Sequence, residues 1–212
     1  MDGPLRINLE GVGTNGTSWS PNCSPENCSL RKRDGTILMQ QGARDELKII
    51  SQARGASLSE LPGYAYDSMG GQGITVYVID TGINPYHQVS AKTSQCLIVL
   101  SHFQEFRNMR GNIRWLYLPG EPQIEGDING HGTCVISKIA TPTLGVAKSA
   151  NIVVVKIEPM GGMGTLRLSN YFDAFSIVAE DIASRNLQGR AVLMTALNSE
   201  QVLNILESNI KV

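Results

Sequence analysis

β-branched and aromatic residues fill Ile74 to Ile79 (ITVYVI), and the run closes on Asp80. A strand covered on both faces loses the alternation of apolar and polar positions, so this run predicts a central strand of a parallel sheet. Cys96 to Leu100 and Asn151 to Ile157 read as two further buried strands, and Ala191 to Ala196 as a fourth. Between them the period changes. After Gly130, Val135, Ile136 and Ile139 share one helical face, and Phe172, Phe175, Ala179 and Ile182 mark a longer helix with Gly189 beyond its end. Strands alternating with helices predict an α/β fold with a doubly wound, mainly parallel sheet and right-handed crossovers. Ligands of such sheets bind outside the carboxyl ends of the strands, where Asp80 lies.

The pattern also divides the chain. Residues 1 to 43 are rich in Gly, Asn, Ser and Pro, show no apolar period, and read as a poorly ordered leader. Its basic run Arg31-Lys32-Arg33 reads as a solvated loop, with a processing site as the alternative. From Arg44 onward Leu47, Ile49 and Ile50 predict a short helix, followed by the Gly/Pro punctuation of LPGYAYDSMGGQG. An ordered domain is therefore expected over 44–212, with a last amphipathic stretch from Ser199 to Glu207.

Composition adds limits. A chain of 212 residues with 42% hydrophobic content can bury one sizeable core. Its net charge of −1 gives no electrostatic footprint for nucleic acid or an anionic membrane. No apolar run approaches the roughly 20 residues needed to cross a bilayer, so a soluble protein is expected. The first residues lack a secretory-signal pattern. Asn15, Asn22 and Asn27 each begin a glycosylation acceptor that matters only in the secretory pathway. The spacing leaves a Cys23–Cys28 bridge open, whereas Cys96 and Cys134, inside apolar segments, are expected to be free and buried. His87, His102, Cys96 and the carboxylates have no metal-ligand spacing, so neither a metal nor another cofactor is expected.

The candidate chemistry lies at two segments. Asp80 opens Asp80-Thr81-Gly82 at a strand end, and His131 stands in Asp127-Ile128-Asn129-Gly130-His131-Gly132-Thr133 at the start of a helix. A strand-end Asp is commonly a turn former, and a lone His is commonly structural. As a pair they do more: a carboxylate bound to one imidazole nitrogen leaves the other to take a proton from a nucleophile. The segments YAYDSMGGQGITVYVIDTGI, GHGTCV and LGVAKSANIVVVKI together resemble the subtilisin-like serine peptidases, most closely the proteinase K-like, fungal-type branch.

That resemblance implies an endopeptidase fold in which Asp80 orients His131 and His131 acts as general base, then general acid. Family members order their triad Asp, His, Ser, and the serine lies far beyond the histidine. None of Ser169, Ser176, Ser184, Ser199 and Ser208 stands in a Gly-Thr-Ser-Met-Ala-like turn, and the asparagine that donates to the oxyanion is also absent. The fold is accordingly expected to be incomplete at its C-terminal part and the chain inactive on its own. In the cleft-lining family strand, Met194, Ala196 and Asn198 replace Asn, Ser and Gly. Cys134, three residues after His131, belongs to the helix's apolar face and is not expected to act as a nucleophile. The family's calcium sites do not transfer to residues of this chain. The implied substrate is polypeptide, and family members are commonly secreted. Two alternatives remain: a non-catalytic binding or inhibitory module, and half of a split enzyme completed by another chain. An open sheet edge predicts marginal stability or aggregation of the isolated chain.

Overall fold

The structure is a computed structural model and describes residues 5–6, 35–53, 55–84, 105–157 and 168–196. The chain divides into two compact units, Met1–Met69 and Gly70–Val212.

The first unit is an antiparallel sheet, β1 (Leu5–Arg6), β2 (Ile37–Gln41) and β3 (Gly63–Asp67), in that order. Residues 37–41 thus form a strand within the stretch read from sequence as a poorly ordered leader. Single-residue periodicity gave no warning because β2 is only partly buried: Leu38 alone turns fully inward. The expected short helix is α1 (Asp45–Ile50), which seats Leu47 against Ala43 and Tyr64 while Ile49 and Ile50 stay exposed. Tyr64 and Tyr66 stack with ring centroids 5.4 Å apart.

The second unit is the expected α/β layer. β4 (Thr75–Asp80), β5 (Ile113–Leu116), β6 (Asn151–Lys156) and β7 (Ala191–Thr195) form a parallel sheet in the order β5-β6-β4-β7. Every residue of β4 is buried. Side chains of alternate residues feed two separate cores. Tyr77, Ile79, Val153 and Val155 meet Tyr171, Ala174 and Val178 of α3 (Leu168–Ser184). Val76, Val78, Ile152 and Val154 meet Ile136 and Ala140 of α2 (His131–Ala140). The sheet is doubly wound, with one helix on each face.

Two readings change. Strand β5, which pairs with β6, was not read from sequence, and the Cys96–Leu100 and Ser199–Glu207 readings lie outside the described residues. The inward stripe of α3 is Tyr171, Ala174 and Val178, with Phe175 and Ile182 at its margin, while Phe172 is exposed. A phenylalanine was read as core, yet the tyrosine beside it carries the burial. β7 is a strand but not a buried one, since Val192 and Leu193 are 51% and 39% exposed. It pairs only with β4 among the described residues. The turn after α3 uses Asn186 at φ 53° and Gly189 at φ 73°, left-handed positions that suit these residue types.

Candidate active site

β4 carries Asp80 to its carboxyl end, where the main chain is pinned by Ile157 N donating to Asp80 O at 2.9 Å. The chain then turns through Thr81 and Gly82. Gly82 has φ 115°, and a Cβ there would lie 2.2 Å from Gly126 O. A Cβ on Gly132 would in turn lie 2.2 Å from Gly82 O. The end of β4 and the start of α2 therefore touch backbone to backbone, and only glycine permits it. His131, the first residue of α2, follows Gly130 at φ 88°.

This packing brings the two sequence-derived residues together. His131 Nδ1 lies 2.8 Å from Asp80 Oδ1, the carboxylate side chain being 2% exposed and the imidazole 44%. A carboxylate only accepts, so Nδ1 carries a proton, and in the neutral imidazole Nε2 is then the acceptor, on the more open side chain. Thr81 N also donates to Asp80 Oδ1, at 2.7 Å. Asp80 Oδ2 and the hydroxyl of Tyr171 are both buried without a hydrogen-bond partner among the described residues. Burial, and then the charge of Asp80, pushes the Tyr171 hydroxyl well above the usual tyrosine range.

Asp127, quoted within the histidine motif but given no role from sequence, is a hub. Its Oδ1 accepts from Thr81 Oγ1 at 2.8 Å and Gly130 N at 2.8 Å. Its Oδ2 accepts from Thr133 N at 2.8 Å and Thr133 Oγ1 at 2.6 Å. Thr81 Oγ1 accepts from Gly132 N at 2.9 Å, and Thr133 Oγ1 from Asn84 N at 3.0 Å. Burial acts to raise the Asp127 pKa, but the bonds from Thr133, Gly130 and Thr81 outweigh it and hold the carboxyl below its ordinary range. The available signal was Asp followed three residues later by Gly, a turn pattern in which the carboxylate accepts from nearby N–H groups.

The serines show no such convergence. Ser176 Oγ donates to Phe172 O at 2.9 Å, and Ser184 Oγ to Asp181 O at 3.1 Å, both local bonds on the exposed surface of α3. Ser169 is exposed and lies 3.4 Å from Asn170 Oδ1, while Ser199 and Ser208 lie outside the described residues. Cys134 corrects the expectation of a free thiol: it is disulfide-bonded. Its sulfur is therefore not an available nucleophile. Cys23, Cys28 and Cys96 lie outside the described residues, as do His87 and the strand-end position Asn198. Among the described residues no three of His, Cys, Asp and Glu converge as metal ligands, and no helix is long and apolar enough to cross a membrane. A small cavity of about 80 Å³ lies at the carboxyl ends of β5 and β6, lined by Tyr117, Leu118, Pro122, Ile124, Lys156 and Asn170 among others.

The model of the Subtilase family matches residues 71–198. The chain belongs to the subtilase family. Both halves of the Asp80–His131 contact lie inside the matched span. Among curated relatives, the subtilase is 36% identical to Subtilisin-like protease 3 of Trichophyton tonsurans over 137 residues, which are 63% of this chain and 28% of the relative. It is 34% identical to a subtilisin-like serine protease of Rhodotorula mucilaginosa over 126 residues, 59% of this chain and 31% of that one. The chain thus spans under a third of the length of the fungal relatives it matches. Among solved structures, a cold-adapted subtilisin-like serine proteinase aligns with a TM-score of 0.47 at 26% identity, covering 72% of this subtilase and 55% of that chain.

Proposed function

We propose that this subtilase supplies the acid–base half of a serine-peptidase triad, with Asp80 orienting His131 and His131 shuttling the proton in peptide-bond hydrolysis. The observation that carries this reading is the 2.8 Å contact between a buried carboxylate and a more open imidazole at the carboxyl end of a central strand. In that arrangement His131 Nε2 takes the proton of an attacking serine hydroxyl and later gives it to the leaving amine. Asp80 holds the tautomer and stabilises the imidazolium that forms.

The chain on its own turns over no peptide. Of the five candidate serines, Ser169, Ser176 and Ser184 make local bonds on α3, and none of the five stands in the family's nucleophile turn. The pair by itself is a poor catalyst: in subtilisin, loss of the serine alone lowers kcat by about 2 × 10⁶. Completion of the site by a further serine-bearing polypeptide segment is the second reading. It is favoured by β7, which pairs on one side among the described residues and leaves Val192 and Leu193 exposed. Polypeptide is the substrate class under either reading.

The test is to supply the part of the Rhodotorula mucilaginosa serine protease that this chain does not match, fused or co-expressed, and measure peptide hydrolysis. Turnover that disappears in Asp80→Asn and His131→Ala and is blocked by a serine-directed inhibitor is expected. Turnover indifferent to His131 would overturn the assignment.

A further inference from the structure

Asp127 is nearly fully buried and carries four hydrogen bonds, none of them to the imidazole. Its partners decide what it can do. Thr81 directly follows Asp80, and Gly130 and Thr133 bracket His131 and Gly132. One carboxylate therefore ties the residue after the acid to the loop and first helical turn that present the base. The polarity of the chain of bonds is fixed from this end. Because Asp127 only accepts, the Thr81 hydroxyl must give it its single proton, leaving its lone pairs for Gly132 N. That bond clamps the main chain next to His131 against the main chain next to Asp80.

We propose that Asp127 is a positioning residue of the Asp80–His131 pair, acting through Thr81 and the Gly130–Thr133 backbone to hold the imidazole in the Nδ1–H tautomer against Asp80. The proposal rests on the triad reading given above for its catalytic consequence, but its structural content can be measured without turnover. Asp127→Asn is the discriminating change because it is nearly isosteric. Whichever way the amide is turned, its NH₂ replaces an oxygen that faces a backbone N–H, either Gly130 N or Thr133 N. Two donors then oppose each other in a buried site, and one of the bonds flanking His131 is lost.

The experiment is long-range ¹H–¹⁵N correlation of the histidine side chains in the whole chain, with His131→Ala to assign the signal. It is recorded for wild type, Asp127→Asn, Thr81→Val and Thr81→Ser, with circular dichroism as the check on fold. Wild type and Thr81→Ser are expected to show a single Nδ1–H tautomer at His131. Folded Asp127→Asn and Thr81→Val are expected to lose it to a mixture of tautomers. Should Asp127→Asn fail to fold, Thr81→Val, which keeps shape and removes only the hydroxyl, decides. Folded variants with the wild-type tautomer overturn the proposal and leave Asp127 a stabilising residue only. A wild type that already populates both tautomers overturns it as well. Tautomer loss in the variants, together with a serine-completed enzyme whose hydrolysis ignores His131, would overturn the peptidase reading while leaving this assignment standing.

Discussion

At the scale of single residues, the site depends on what is missing from Gly132 as much as on what Asp80 and His131 carry. A methyl group at Gly132 would meet Gly82 O at 2.2 Å and Asp80 Oδ1 at 3.0 Å, so backbone has to give way. Gly132→Ala is expected to destabilise the fold by about 1–3 kcal/mol, the range of overpacked positions. Thermal melting would show the loss, and an unshifted midpoint would contradict the close approach. Lys148 offers a pH test. Its ammonium group donates to Pro142 O at 2.8 Å and Gly145 O at 2.7 Å from a side chain that is almost fully covered. Burial pushes its pKa down from 10.5 to about 8, with Glu105 opposing and Arg110 reinforcing the shift. Between those values the unfolded chain binds a proton that the folded chain does not, so acidification favours unfolding. Stability from this group rises as pH goes from about 8 to about 10.5, by up to ~3 kcal/mol. Lys148→Met is expected to abolish that rise in urea titrations taken across the window; an unchanged pH slope would show that Lys148 is not its source.

At the scale of elements, α3 is fixed to the sheet by one carboxylate. Asp181 accepts from Tyr77 Oη at 2.6 Å, from both terminal nitrogens of Arg114, and from Arg185 Nε at 3.0 Å. These bonds outweigh the effect of burial and hold Asp181 below its ordinary pKa, while burial and Asp181 together push Tyr77 up to about 12. Asp181→Ala leaves the Tyr77 hydroxyl and the Arg114 guanidinium without this partner and is expected to cost about 1–3 kcal/mol. A double-mutant cycle with Tyr77→Phe should show coupling, and strict additivity would contradict the network. Elements whose burial is two-sided were legible in the sequence: β4 and β6 are continuous apolar runs, and their ends fall within a residue of the expected ones. β5 was not, because all four of its residues are half-buried and it carries Arg114, whose charge is used by Asp181 rather than by water. The inward stripe of α3 was misplaced because Tyr171 and Ala174, not the more apolar Phe172, face the sheet. The Asp80–His131 contact was legible because the strand end and the glycine-flanked histidine are local patterns. Asp127 was less so, since its bonds join residues up to 46 positions apart.

At the scale of the whole molecule, the second unit has an asymmetric sheet. Its centre is β4 and β6, wholly or largely buried, whereas β7, the edge strand among the described residues, exposes Val192 and Leu193. An edge strand with apolar side chains in water is a template for association. Leu193→Lys is therefore expected to reduce concentration-dependent self-association in sedimentation velocity, and equal association of both proteins would contradict a role for this edge. The same asymmetry suits the functional reading, in which the acid–base pair is built here and the nucleophile is supplied by a segment that the described residues do not contain. The measurement that tests this most directly is hydrolysis of casein by the purified chain alone, beside His131→Ala and with a serine-directed covalent inhibitor. No turnover above the His131→Ala level is expected; turnover that depends on His131 and is stopped by the inhibitor would mean that a serine of this chain is the nucleophile, and would contradict the account.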